Sequence, residues 1–246
     1  MNFINAFRFL TIIPLPLKSP AREENIGRSL AYFPLVGLLI GLLLAGFDRA
    51  LSLILPQPVV TGLVVASLAV LTGALHLDGF MDSMDGLFLS GGPQRRLEVM
   101  KDSRVGSFGV VGAVLLLLLK YLCLQNLPES SRPFALVLMP VLSRWCVVWP
   151  VSVFPPAKPQ GLAQSFKLGA TRGRAVIATL LALAVSMAVF RVQGVIIMAG
   201  LFIITMLAAL FINRRLSGLT GDSYGAMIEA GDLSVLLLVI ILTSPG

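Results

Sequence analysis

Seven stretches of this 246-residue chain are long and apolar enough to cross a lipid bilayer, and no other feature constrains its fold as tightly. A hydrocarbon core roughly 30 Å thick needs about 20 residues of helix. The stretches are approximately Leu30–Leu55, Val59–Leu77, Gly106–Leu124, Phe134–Phe154, Ala175–Phe190, Gly194–Ile212 and Tyr224–Thr243. Inside lipid each backbone N–H and C=O must find its partner within the segment, so such runs are helices. The fifth is short, and the seventh holds Glu229 and Asp232 in its first half. The longest polar stretch, Asp78–Val105, leaves no room for a soluble domain between spans. The expected fold is all-α: one polytopic membrane domain over residues 1–246 with about seven transmembrane helices. Only 13% of the residues are charged, against about 25% in soluble domains. Met1 to Pro16 is apolar but broken by Pro14 and Pro16, and has no basic region before its apolar run. It reads as a retained interfacial segment, not a signal peptide.

The basic residues orient the spans. With the N-terminus inside, the inside segments carry Arg8, Lys18, Arg22 and Arg28, then Arg95, Arg96, Lys101 and Arg104, then Lys158, Lys167, Arg172 and Arg174, then Arg214 and Arg215. The outside loops carry only Arg132 and Arg191, while Arg49, Lys120 and Arg144 fall within spans. Cytoplasmic loops collect Lys and Arg, so this bias points to a cytoplasmic N-terminus and an outside C-terminus. The formal charge of +7 then belongs to the loops, and no nucleic-acid partner is expected, since no basic run is interleaved with aromatics. Gly37 and Gly41 have the spacing that permits close helix packing. Cys123 and Cys146 lie in apolar segments without metal-ligand spacing and read as small hydrophobic fillers. No P-loop, nucleophile elbow, HExxH or cysteine-based metal pattern is present, which argues against ATP hydrolysis and zinc chemistry.

The chemistry-bearing residues gather on the inside face, near 78–105 and 213–232. In a helix, Asp78, Asp82 and Asp85 stand at i, i+4 and i+7, on one face. Like charges on neighbouring turns repel, and a hard divalent cation, Mg²⁺ or Mn²⁺, offsets that repulsion best because carboxylate oxygens suit it. His76, the only histidine, stands beside the first carboxylate as a general base, a substrate donor or a capping residue. Arg95, Arg96, Lys101 and Arg104 follow, with Asp102 set among them and Gly106 and Gly109 opening the next helix. Cations beside a carboxylate–metal cluster suit a di- or polyphosphate substrate. A second polar group holds Asp222, Glu229 and Asp232, with Gly221 and Gly225 between them allowing close backbone approach. Arg144 is an intramembrane cation that needs either an acidic partner or a substrate phosphate.

These residues carry a resemblance. The chain resembles the cobalamin synthase family, adenosylcobinamide-GDP ribazoletransferases, from near its N-terminus to the last span. The matching stretches are Phe9-Leu-Thr11 with Pro14, Phe33-Pro-Leu-Val-Gly37, His76-Leu-Asp78-Gly79 with Asp82 and Asp85-Gly86, Leu97-Glu98 with Met100, Asp102-Ser-Arg104 with Gly106, Ser143-Arg144, and Thr220-Gly-Asp222 with Gly225-Ala226 and Glu229. Each is weak alone; their order, spacing and coverage are specific. Ile12 departs from the arginine many relatives carry there. The resemblance implies a Mg²⁺-dependent reaction at the cytoplasmic side of the bacterial inner membrane. Adenosylcobinamide-GDP and α-ribazole, or its 5′-phosphate, give adenosylcobalamin, or its 5′-phosphate, with release of GMP. On that reading Asp78, Asp82, Asp85 and Asp222 hold metal. Asp82, Asp85 and His76 are the catalytic candidates, the proton acceptor being Asp85 or His76. Arg95, Lys101, Asp102, Arg104, Arg144 and Glu229 contact substrate. A homo-oligomer, or contact with other corrinoid-pathway enzymes, stays open.

Two other readings compete. A membrane phosphatidyl-alcohol transferase also uses aspartates on adjoining helices, but Met81-Asp82 stands where that class has an Ala-Arg pair. An ion-coupled transporter would suit intramembrane acids, yet the acids gather at one face and no pair of inverted repeats is visible.

Overall fold

The structure, a computed structural model, describes residues 2–14 and 23–243. Lys18 and Arg22, two of the orienting cations, and Pro16 lie outside the described residues. The described chain is helical: α1 (Asn2–Leu10), α2 (Glu23–Ser29), α3 (Phe33–Leu51), α4 (Gln57–Leu71), α5 (Leu75–Leu87), α6 (Pro93–Val99), α7 (Ser107–Gln125), α8 (Arg132–Cys146), α9 (Val148–Val153), α10 (Leu162–Gly169), α11 (Arg172–Leu216) and α12 (Gly221–Thr243). Among the described residues no β-strand forms; one isolated parallel bridge joins Pro156 and Leu219.

Five helical segments are long and apolar enough to span a membrane, or six if α4 and α5 are taken together as one bent span. The difference from the expected seven lies mainly in α11, 45 residues that the sequence divides into two spans. A straight helix of that length would run roughly 68 Å, about twice the bilayer core. It does not run straight. Arg191 has φ 51° and ψ −130°, and a side chain at Gly194 would strike the backbone of Ser186. The two arms, 172–190 and 192–216, therefore lie against each other, and Trp145 touches both through Thr179 and Phe202. Apolar side chains left exposed on α7, such as Val111, Val114, Leu118 and Leu122, form the kind of surface that lipid covers.

The second departure concerns the expected span Val59–Leu77. Its helix ends at Leu71, and the chain turns by 89° before α5 begins. Gly73 (φ 61°) and Ala74 (φ 55°) make that corner in the left-handed region. Ala74 has no composition cue for such a conformation, which is why the span reads as continuous in sequence. His76 thus belongs to α5, which is too short to cross a bilayer alone and lies outside the five spans.

The centre of the bundle is the α3–α8 pair. A side chain at Gly37 would meet the Pro140 carbonyl, and one at Gly41 would lie 2.7 Å from the Val137 Cα. The glycine spacing does bring two backbones into contact, as expected. At one end of the bundle Arg132, expected in an outside loop, is instead buried. Its guanidinium donates to both oxygens of Asp48, at 3.0 and 2.7 Å to Oδ1, and to Thr61 and the Leu124 carbonyl. This ties α3, α4, α7 and α8 together opposite the acidic cluster.

Candidate active site

The acidic face expected on residues 78–85 forms as α5, and neighbouring backbones hold it in place. A Cβ at Gly79 would lie 2.9 Å from the Cα of Asp222, and one at Gly225 would lie 3.1 Å from the His76 carbonyl. α5 therefore crosses the first turns of α12 at backbone contact, which brings Asp78 and Asp82 beside Asp222. Asp82 lies within electrostatic reach of Asp78, Asp222 and Asp85. The side chains of Asp78, which is exposed, and Asp82, which is partly buried, make no hydrogen bond or ion pair among the described residues.

Asp85 is held differently. Its Oδ2 accepts the Gly106 N–H at 2.8 Å and its Oδ1 accepts the Gly109 N–H at 2.8 Å. Gly106 is the N-cap of α7 and has no side chain to satisfy the free amides there. A carboxylate from another helix does so, adding a favourable charge at the positive end of the helix dipole. Side chains at 106 or 109 would collide with this carboxylate, the second at 3.2 Å from Cγ as well as closer to an oxygen. The residue expected as a metal ligand and base thus occupies both oxygens in capping α7. Among the described residues, no group of three or more His, Cys, Asp or Glu is gathered tightly enough to hold a metal ion.

His76 is buried, and neither ring nitrogen has a partner. It lines a cavity of about 60 Å³ with Asp78, Asp222 and Tyr224, walled by Phe33 and Phe166. The Tyr224 hydroxyl is likewise without a partner. A space of this size takes water or one small polar group, not a ring system, and its unpartnered nitrogens and hydroxyl suit that occupant.

The remaining expected residues separate into a surface set and a buried set. Arg95 pairs with Glu98 at 3.3 Å on the exposed face of α6. Arg104 pairs with Asp102 at 2.7 Å and donates a second bond from its Nε. These bonds, with the backbone N–H of Arg104, hold the Asp102 carboxyl down at about 2. Lys101 lines a cleft beside Asp222 together with Lys158.

Arg144 and Glu229, expected to contact substrate, lie inside the bundle. Arg144 donates to Asp232 at 2.8 Å and to the Ser143 hydroxyl at 2.8 Å. Lys120 donates to Glu229 at 2.5 Å and to Asp232 at 3.0 Å. Two cations from α7 and α8 so balance two carboxylates of α12, all nearly inaccessible. Of the two alternatives for Arg144, the structure supplies the acidic partner. The sequence reading missed Lys120, noted only as a cation within a span. A lysine in so apolar a helix needs an acid at similar depth, and Glu229 and Asp232 were visible for that purpose.

Comparison with known proteins places the chain in a family. The family model of cobalamin-5-phosphate synthase matches residues 2–240. An adenosylcobinamide-GDP ribazoletransferase of Geotalea daltonii is 42% identical over 235 residues, covering 96% of this chain and 95% of that protein. The proteins of the same name from Desulfitobacterium hafniense and a Roseiflexus species are 42% and 37% identical, with the chain covering 93% and 89% of their lengths. No solved structure matches. On a family match over nearly its whole length, and on relatives of this similarity, the chain belongs to the cobalamin-5-phosphate synthase family.

Proposed function

We propose that the chain transfers the corrinoid-bearing phosphoryl group of adenosylcobinamide-GDP to α-ribazole or α-ribazole 5′-phosphate, releasing GMP. The reaction takes place at the cytoplasmic face of a bacterial inner membrane, with the N-terminus inside. One observation carries this reading beyond the family match: α5 and α12 meet at backbone contact, setting Asp78 and Asp82 beside Asp222 at the end of the bundle where the basic loops gather.

The donor set fits Mg²⁺. Asp78, Asp82 and Asp222 offer hard oxygens without nitrogen or sulfur, and Asp78 and Asp82 have no protein partner. Mg²⁺ commonly takes only one or two carboxylates, with substrate phosphates and water completing its shell, so three tightly gathered ligands are not required. Asp78 and Asp222 are the residues that would hold it, with Asp82 at their centre. An ion held there would supply charge neutralisation at the phosphoryl oxygens of the diphosphate.

The protein's own groups account for the rest. The acceptor hydroxyl oxygen forms a bond to the phosphorus that carries cobinamide. The bond from that phosphorus to the bridging oxygen breaks, and its electron pair leaves with GMP. The hydroxyl proton passes to Asp82, whose carboxylate is partly buried and has no hydrogen-bond or ion-pair partner among the described residues. Burial, and then the charges of Arg144 and Lys120, hold His76 well below the ordinary imidazole range, and as a neutral imidazole it orients a hydroxyl or water in the small cavity. Asp85 positions α7, and through it Arg104 and Lys101 on the preceding loop, which face the developing phosphate charge.

Asp82→Ala and Asp222→Asn, inserted in the membrane like the wild type, are expected to lose most GMP release. Unimpaired turnover in either variant would overturn the assignment of the site.

A further inference from the structure

In sequence Lys158 is one more cytoplasmic cation. The structure gives it a fixed address. It sits on the turn between α9 and α10, and that turn is pinned to the segment before α12. The Ala157 N–H donates to the Leu219 carbonyl at 2.8 Å, and the Leu219 N–H donates to the Pro155 carbonyl at 2.9 Å. Gly218, at φ 151°, lies so near Ala157 that a Cβ there would be 2.5 Å from its Cα. The bridge holds Lys158 across a cleft from Lys101, which arrives from the loop before α7.

The two lysines line the same two clefts, near enough for their charges to act on each other. Burial, and then the nearby charge of Lys101, hold the Lys158 ammonium below the usual lysine range; the charge of Asp222 acts the other way. Neither lysine belongs to an ion pair among the described residues. Two like charges pressed together by a pinned turn repel, and an anion between them reverses the sign of that interaction. The surrounding space admits one. A cleft of about 470 Å³ runs along Lys101, Lys158, Gln160, Thr220 and Asp222. A second, of about 400 Å³, continues past the same lysines to Gln94 and Ser217. Such volumes suit small-molecule ligands.

We infer that Lys158 and Lys101 form a binding site for the phosphate monoester of a nucleotide, with Asp222 at its inner edge. Two ammonium groups match a monoester, which carries close to two negative charges at neutral pH, better than the single charge of a phospholipid diester. The inference rests on the proposed reaction, which has two such groups: the phosphate of released GMP and the 5′-phosphate of a phosphorylated acceptor. Lys158 is a binding residue here, not the proton carrier.

The test uses the wild-type protein, Lys158→Gln and Lys158→Arg in neutral detergent. GMP, α-ribazole 5′-phosphate and, as a control, guanosine are titrated in EDTA, apart from any turnover. Loss of a hydrogen-bonded charge partner is expected to weaken at least one of the two phosphate monoesters about tenfold or more in Lys158→Gln. Lys158→Arg retains most of the affinity, and guanosine behaves alike in all three proteins. The thermal midpoint of Lys158→Gln stays level or rises, because a repulsion has been removed; a merely structural lysine would lower it. Unchanged affinity for both monoesters would overturn the site, as would an effect seen only with added phosphatidylglycerol. Wild-type turnover is measured in parallel. Lysine-dependent monoester binding without transfer would leave this site standing and remove the proposed reaction. Normal transfer with an indifferent Lys158 would do the reverse.

Discussion

Asp82 and Asp85 lie one turn apart on α5, and replacing them should have opposite consequences for stability. Asp85 accepts two backbone N–H bonds at 2.8 Å from the start of α7. In Asp85→Ala both donors lose their partner in a partly buried place. A bond to a charged group contributes about 1.5–3 kcal/mol, and loss of a helix cap typically costs about 1 kcal/mol. These descriptions overlap, so the expected destabilisation is about 2–4 kcal/mol, with Asp85→Asn retaining roughly half through its one carbonyl oxygen. Asp82 makes no such bond and sits among like charges, so Asp82→Ala is expected to stay within about 0.5 kcal/mol of the wild type or to gain slightly. Unfolding of the purified protein by a denaturing detergent titrated into mild micelles, followed by circular dichroism, gives the comparison. Both variants lose activity on this reasoning, so stability is what separates a cap from a reaction-centre group. Equal stability of Asp85→Ala and wild type, or equal losses at 82 and 85, would refute it.

Gly79→Ala places a methyl 2.9 Å from the Asp222 Cα, so α5 and α12 must part; turnover is expected to fall at least tenfold while the helical signal is kept, checked by GMP release and circular dichroism. Lys120→Met leaves Glu229 buried without an ion-pair partner and Asp232 with Arg144 alone; breaking a buried pair costs about 3–5 kcal/mol, and adding Glu229→Gln is expected to restore most of it, read by the same unfolding titration. Asp48→Asn removes the charge partner of buried Arg132 at the far end of the bundle, and is expected to lower stability by about 2–4 kcal/mol with little change in the KM for either substrate.

Features set by local pattern were legible. The apolar windows locate the membrane helices because a bilayer imposes a length and forbids unpaired backbone. Gly37 and Gly41 announce the α3–α8 contact because only small residues allow it. Asp78, Asp82 and Asp85 announce one helical face by their spacing. The corner at Gly73 and Ala74 was hidden, since an alanine at positive φ is held by tertiary contacts and leaves no trace in composition. The task of Asp85 was hidden for a related reason: its partners are backbone amides 21 and 24 residues later, and an amide has no letter in the sequence. Arg132 was assigned by the rule for loop cations, which takes no account of Asp48 waiting at the end of α3. Lys158 met the same rule, which orients a chain but says nothing of which cations a bridge such as Pro156–Leu219 brings together.

Turnover tests the proposed activity most directly. The detergent-solubilised protein is incubated with adenosylcobinamide-GDP, α-ribazole 5′-phosphate and Mg²⁺, and GMP and the corrinoid product are measured with and without EDTA. GMP and a cobalamin 5′-phosphate in equal amounts, formed only when free metal is present, are the predicted result. A folded protein that forms no product, or one that forms it equally well in EDTA, would contradict the carboxylate–metal site on α5 and α12.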